Sequence, residues 1–126
     1  MNVTLHPVHA YGIPADLVTQ GAREHLSFPS RAEYHLIHVD GDLAGVTGIW
    51  WRSGYAIFKS HLVMPRFRRR GVFAHVLDWS IARARERNMR YVEATCTPAS
   101  LPAYLRAGAR VTHQYRLFTK VRIDLT

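Results

Sequence analysis

Cysteine is almost absent from the chain, because Cys96 is the only one in 126 residues. A single thiol cannot form an internal disulfide, so we expect the protein to work in a reducing compartment, the cytoplasm. No apolar run approaches the roughly 20 residues that a membrane-spanning helix needs. The first residues also lack the basic and apolar stretches of a signal peptide. These absences exclude disulfide-stapled secreted folds, and we expect no membrane partner.

Acidic residues and lysines are also scarce. The chain has 9 acidic residues against 17 basic ones, which gives a net charge of +8, and Lys59 and Lys120 are its only lysines. The other basic residues are arginines, and many of them fall within residues 66–90. Such a segment attracts polyanions. Nucleotides, coenzyme A and nucleic acid all fit this charge, so charge alone does not choose among them.

The chain contains no repeat, linker or low-complexity tract, which predicts a single domain over residues 1–126. Alternating apolar residues predict strands over residues 2–9, 33–39, 43–52, 55–64, 90–96 and 111–125. Apolar residues at helical spacing predict helices over residues 14–26, 69–88 and 98–108. Antiparallel strands followed by a β-α-β segment predict an α/β fold with a mixed sheet.

The strongest functional signal is the stretch His61–Leu77, HLVMPRFRRRGVFAHVL. It reads as a strand, a proline break, a basic loop with one glycine and the start of an amphipathic helix. Free backbone N–H groups at a helix start, together with the helix dipole, favour a bound anion. Basic side chains are slightly unfavourable at that end of a helix unless an anion binds there. The pattern therefore favours an anion-binding loop over a merely solvated one.

The loop Arg68–Phe73, RRRGVF, resembles the Arg/Gln-x-x-Gly-x-Gly/Ala signature of the GCN5-related N-acetyltransferases (GNAT). In that family the loop holds the pyrophosphate of acetyl-coenzyme A. Phe73 departs from the signature, because it occupies the second small-residue position. The resemblance covers roughly residues 34–118 of the chain.

A second element carries the same resemblance. Residues 97–109, TPASLPAYLRAGA, resemble the family's Asn-x-x-Ala-x-x-x-Tyr-x-x-x-Gly-Phe pattern. Tyr104 and Gly108 keep the family's spacing, whereas Thr97 and Ala109 replace the Asn and the Phe. Two motifs in the family's order make the resemblance stronger than either motif alone.

The resemblance implies a compact GNAT-like acyl-CoA N-acyltransferase fold, with a shortened N-terminal helical region and shortened C-terminal strands. It also implies an enzyme that transfers acetyl, or another acyl group, from acyl-CoA to an amine by direct attack. No metal is expected, since the spacing of the histidines is not that of a metal site. The residues implied in acyl-CoA binding are Leu62, Val63, Met64, Arg68, Arg69, Arg70, Gly71, Val72 and Phe73.

Three side chains are candidates for catalysis. Tyr104 resembles the tyrosine that many members use as a general acid toward the departing thiolate, which requires a donor within hydrogen-bond reach of the sulfur. The family often places its general base on one of the two central strands. Glu93 on the second strand and His61 on the first are the candidates here, and the sequence does not choose between them.

Two other interpretations stay open. Arg83, Arg85 and Arg87 are expected to lie mostly outside the apolar face of the central helix. In one interpretation they dock nucleic acid, as the acceptor or its carrier. Alternatively, the departures from the family motifs are compatible with an inactive binding module. A homodimer that completes an open sheet edge is also possible from the sequence. Cys96 is expected to be a small buried apolar side chain, not a nucleophile.

Overall fold

A seven-stranded mixed sheet forms the centre of the protein. The computed structural model describes residues 1–8, 13, 14, 17 and 31–126. Its strands are β1 (Val3–Val8), β2 (Ala32–Val39), β3 (Asp42–Trp51), β4 (Tyr55–Val63), β5 (Tyr91–Cys96), β6 (Arg110–Gln114) and β7 (Thr119–Asp124), in the spatial order β1-β2-β3-β4-β5-β7-β6. β4 and β5 run parallel, and the other neighbours in this sheet run antiparallel. The predicted mixed sheet is confirmed.

Two helices flank the sheet in the described part of the chain, α1 (Val72–Glu86) and α2 (Leu101–Arg106). α1 connects the parallel strands β4 and β5, as the predicted β-α-β segment requires. The helix begins later than the predicted Arg69, because a short 3₁₀ turn (Pro65–Phe67) precedes it and Gly71 takes the N-cap position. Among the described residues, neither helix is long and apolar enough to cross a membrane.

The sheet has two distinct sides. The side that contacts α1, which we call the helix face, carries Phe58 and Val92 in one core cluster with Leu77 of α1. The other side, which we call the opposite face, packs Tyr34 against Ile13. The predicted helix over residues 14–26 lies almost entirely outside the described residues.

The C-terminal tail differs from the prediction of one strand over residues 111–125. It forms a hairpin of two short strands, and β7 lies between β5 and β6. The Tyr115 N–H donates to the Phe118 carbonyl at 2.8 Å and so closes the turn between them. The apparent alternation from Tyr115 onward was misleading because Leu117 and Phe118, both apolar, are exposed turn residues.

Candidate functional site

The parallel strands β4 and β5 separate near their C-terminal ends. They pair from Tyr55 with Tyr91 as far as Phe58 with Ala94, and then the pairing stops. β4 nevertheless continues to Val63, beyond the last pair. A bulge against β3 shifts the register of β4 at this point, and bulges bend the strands that contain them. We call the resulting gap the splay. Its edges carry backbone groups that are not paired across it, which a ligand amide can use.

The loop Arg68–Phe73 lies at the end of the splay, where α1 begins. Gly71 has a φ of +80° and caps α1 without any side-chain hydrogen bond. No atom lies within 4 Å of the position that a Cβ on Gly71 would take, so the space above it is open. The first turn of α1 carries no acidic residue. The free N–H groups and the open space suit a phosphate-sized anion.

The same loop carries three consecutive arginines. Arg68, Arg69 and Arg70 are exposed, and Arg69 has a positive φ of 61°. The Arg68 Nε donates to the Val63 carbonyl at 2.9 Å, which ties the loop to the end of β4. Three cations at the positive end of a helix dipole are favourable only when an anion offsets them. The geometry therefore supports the anion-binding interpretation of the motif.

His61 points to the helix face, just beyond the last β4–β5 pair. Its Nε2 lies 3.0 Å from Thr47 Oγ1 and 3.2 Å from Ser80 Oγ. The ring also stacks on Phe58, with 5.0 Å between centroids. Burial lowers the pKa of His61 to about 4, although a hydrogen bond to the Lys59 carbonyl acts in the other direction. His61 is therefore a neutral imidazole at pH 7.

This burial makes the stability of the protein sensitive to acid. The folded-state pKa of His61 lies below its unfolded value of 6.5, so the unfolded chain binds the extra proton as the pH falls between these values. The stabilisation that comes from keeping His61 neutral is complete above pH 6.5, and roughly 2–3 kcal/mol of it should be lost by about pH 4.5. Denaturant unfolding should show this loss in the wild type and a smaller one in His61→Gln. Equal losses in both proteins would contradict the buried neutral imidazole.

Tyr104 of α2 faces the same region. Its side chain is 4% exposed, and its ring meets Phe73 edge to face with 5.6 Å between centroids. The centroid of the Phe73 ring in turn lies 6.2 Å from that of His61, so Phe73 lies beside both candidate catalytic residues. Burial, and to a lesser extent nearby Cys96, raises the pKa of the Tyr104 hydroxyl. The phenol therefore holds its proton throughout the physiological range.

Glu93 lies on the opposite face of the sheet. It pairs across strands with Ile57, and its carboxylate contacts the Lys120 ammonium at 3.3 Å. The structure thus brings His61 and Tyr104 together on the helix face and separates Glu93 from both. Sequence reasoning did not identify the Lys120 contact, because Lys120 is far from Glu93 along the chain and no motif includes it.

A sequence profile of the Acetyltransferase (GNAT) family matches residues 9–109. The chain belongs to the GNAT acetyltransferase family. This confirms the resemblance carried by the loop around Gly71 and by the element around Tyr104. No relative among curated proteins matches the chain by sequence.

Solved structures show the same GNAT fold at low sequence identity. An IAA acetyltransferase from Bacillus cereus is similar with a TM-score of 0.82 and 15% identity, over 98% of this chain and 100% of that one. A GNAT family acetyltransferase from Elizabethkingia anophelis, with acetyl-CoA bound, has a TM-score of 0.80 and 18% identity, over 98% and 99%. The ribosomal-protein-S18-alanine N-acetyltransferase from Escherichia coli has a TM-score of 0.82 and 12% identity, over 99% and 95%.

The remaining predicted cofactor residues of this GNAT domain line the end of β4 and the start of α1. Val63 and Val72 are buried in a core cluster with Phe67. Leu62 and Met64 are partly buried against the core of the opposite face. The side chains of Leu62, Val63, Met64 and Val72 therefore serve packing. The Val63 carbonyl accepts from Arg68 and the Met64 N–H donates to the Ala44 carbonyl, so a ligand would use the backbone groups of β4 that face the splay.

The arginines of α1 are less available than the sequence suggested. Arg83 forms a two-pronged contact with Glu33, at 2.7 and 3.0 Å, and also reaches Glu86 at 3.6 Å. Arg87 stacks over the Trp51 ring at 4.3 Å. These contacts hold the helix against the sheet, so they account for two of the three arginines without a polyanion.

Cys96 is buried, and its thiol donates to the Thr119 carbonyl at 3.3 Å. Burial raises the pKa of the Cys96 thiol, which makes it a poor nucleophile. Within the described ranges of the chain, no group of three or more His, Cys, Asp or Glu side chains is arranged to hold a metal ion.

Proposed function

We propose that this GNAT protein transfers an acetyl group from acetyl-CoA to an amine. The observation that carries the proposal is the splay between β4 and β5, which ends at an open anion cradle around Gly71. A long thioester with a phosphate-bearing end fits a gap with unpaired backbone edges that leads to a helix N-terminus. The acetyl-CoA bound to the Elizabethkingia anophelis relative supports the same cofactor.

The cofactor-binding roles divide between backbone and side chains. The N–H groups at Gly71, Val72 and Phe73 would receive the pyrophosphate, and Arg68 to Arg70 would add positive charge. The backbone of Leu62 to Met64 would pair with the amide groups of the pantetheine arm. The cofactor supplies an activated acetyl thioester, and the protein supplies its orientation.

The two sheet faces would serve the two proton transfers. The amine attacks the thioester carbonyl and forms the new C–N bond, and the C–S bond breaks. Tyr104 on the helix face gives its proton to the departing sulfur, and Glu93 on the opposite face accepts the proton that the amine loses. His61 lies on the same face as Tyr104 and is held by Thr47 and Ser80. We therefore assign the base to Glu93 and treat His61 as a positioning residue for Phe73.

The cellular location, the binding partners and the oligomeric state are also part of this proposal. A cytoplasmic protein is supported by the single buried cysteine, which needs no oxidising compartment. The partners would be acyl-CoA and an amine acceptor, and a homodimer remains compatible with the edge position of β6. Nucleic acid is not favoured as an acceptor, because Arg83 and Arg87 already have structural partners.

Turnover with a broad panel of amines tests the proposed function. The protein is mixed with acetyl-CoA and amino acids, polyamines or peptides, and the release of free thiol is followed together with the mass of the products. We expect thiol release that depends on one class of amine and a product heavier by one acetyl group. Thiol release without any acetylated amine, or none at all despite coenzyme binding, would contradict the proposal.

A further inference from the structure

The two lysines of the chain lie on the same side of the sheet, the opposite face, near the base of the splay. Lys59 is the first residue of β4 beyond the last β4–β5 pair. Lys120 pairs across strands with Thr95, the first residue of β5 beyond the same point. Glu93 lies on this face too and contacts Lys120. All other basic residues of the chain are arginines, so both lysines lie on this face of the sheet.

Among the described residues, no carboxylate offsets the charge of Lys59. None of the ion pairs within the described residues involves Lys59 or Arg52. Both side chains instead lie over the Trp50 ring, with the Lys59 ammonium at 4.9 Å and the Arg52 guanidinium at 5.6 Å from its centroid. Lys59 and Arg52 thus place two positive charges on one indole. In a protein whose net charge is +8, they create a positive region next to the splay.

We propose that the acceptor is a small amine that also carries an anionic group, a carboxylate or a phosphate, and that Lys59 binds this group. This inference rests on the proposed acetyl transfer. Lysine binds such groups as a point charge, and Trp50 provides a flat apolar surface beside it. Lys59 and Glu93 occupy diagonal positions on neighbouring strands, about 8 Å apart between Cα atoms. A molecule whose amine and anion are separated by a few bonds can reach both residues.

Lys120 has a different part in this arrangement. Its ammonium is already paired with Glu93, so it orients the carboxylate that receives the proton of the amine. The anion of the acceptor is therefore directed to Lys59, the lysine without a carboxylate partner in the described chain. This division makes Lys59 a specificity residue and leaves the chemistry to Glu93 and Tyr104.

Matched pairs of amines test the inference. The probes are amino acids against their amides, and phosphoethanolamine against ethanolamine, each with acetyl-CoA. We expect the wild type to prefer the charged member by about tenfold or more in kcat/KM, and added salt to reduce the preference. The amino acid pair and the ethanolamine pair distinguish a carboxylate from a phosphate. Lys59→Met should raise KM about tenfold for the charged member and leave the neutral member within about twofold. Lys59→Arg should restore part of the preference.

Arg85→Met is the matched control, because it removes one positive charge from an exposed site on α1, away from the opposite face. It should leave both members of each pair unchanged. Equal use of charged and neutral amines by the wild type, or an equal effect of Lys59→Met on both, would overturn the inference while the acetyl transfer still stands. If the wild type acetylates no amine in either set, the proposed function fails and the inference fails with it.

Discussion

Tyr104→Phe should lower turnover of the acceptor by roughly 10²–10⁴-fold, the range expected when a general acid is removed. The variant keeps the ring that packs against Phe73 and removes only the hydroxyl. In the part of the chain that the structure describes, this hydroxyl has no hydrogen-bond partner to lose. We therefore expect the melting temperature and the affinity for coenzyme A to change little. Steady-state kinetics and coenzyme binding measured side by side would separate catalysis from folding.

Tyr115→Phe is the matched control for this substitution. Tyr115 is 56% exposed in the turn between β6 and β7, and it loses the same hydroxyl without touching the splay. Its turnover should remain near that of the wild type. If Tyr104→Phe also retains near wild-type turnover with a good acceptor, then Tyr104 is a packing residue and another group protonates the sulfur.

Gly71→Asp should abolish the stabilisation of the protein by coenzyme A. The wild type should gain about 2.7 kcal/mol at a ligand concentration a hundredfold above the dissociation constant. The substitution places a carboxylate in the open space where the pyrophosphate is expected, and like charges repel there. Thermal unfolding with and without coenzyme A measures the difference directly.

Gly41→Asp controls for the backbone cost of that change. Gly41 has a φ of +87°, close to the +80° of Gly71, and no atom lies within 4 Å of its missing Cβ either. It sits in the β2–β3 turn and far along the chain from α1. We expect the positive φ to cost both variants similar backbone strain, but Gly41→Asp to keep the full response to coenzyme A. If Gly71→Asp is stabilised by coenzyme A as much as the wild type, the loop around Gly71 does not bind the pyrophosphate.

The strand–loop–helix geometry around Gly71 was predictable because its signals are local. A proline break, a run of arginines and one glycine before an amphipathic pattern occur within a few residues, and the helix start follows from them. Gly71 does lie at the N-cap of α1, in a left-handed conformation that glycine adopts readily. Tyr104 was found through the spacing of the second motif, and its burial beside Phe73 agrees with that spacing.

The surroundings of these residues were not predictable, because they depend on strand register. Thr47 reaches His61 because a bulge shifts the register of β3 against β4 next to Thr47. No sequence pattern indicates that bulge. Ser80 looks like a small residue on the buried stripe of α1, yet it is a polar partner of His61. Glu93 and Lys120 form an ion pair because the C-terminal tail folds back as a hairpin. The sequence did not indicate this hairpin, because its turn residues are apolar and the tail resembled one continuous strand.

The most direct test of the account is a titration of the labelled protein with coenzyme A, followed through its backbone amide resonances by NMR. A domain of 14.4 kDa is well suited to this measurement. We predict saturable shifts that are largest at Gly71, Val72 and Phe73 and extend along β4 from Lys59 to Val63, with little change in β1. Saturable binding with these amides unmoved, or no binding at millimolar coenzyme A, would contradict the claim that the splay and its cradle hold the acyl donor.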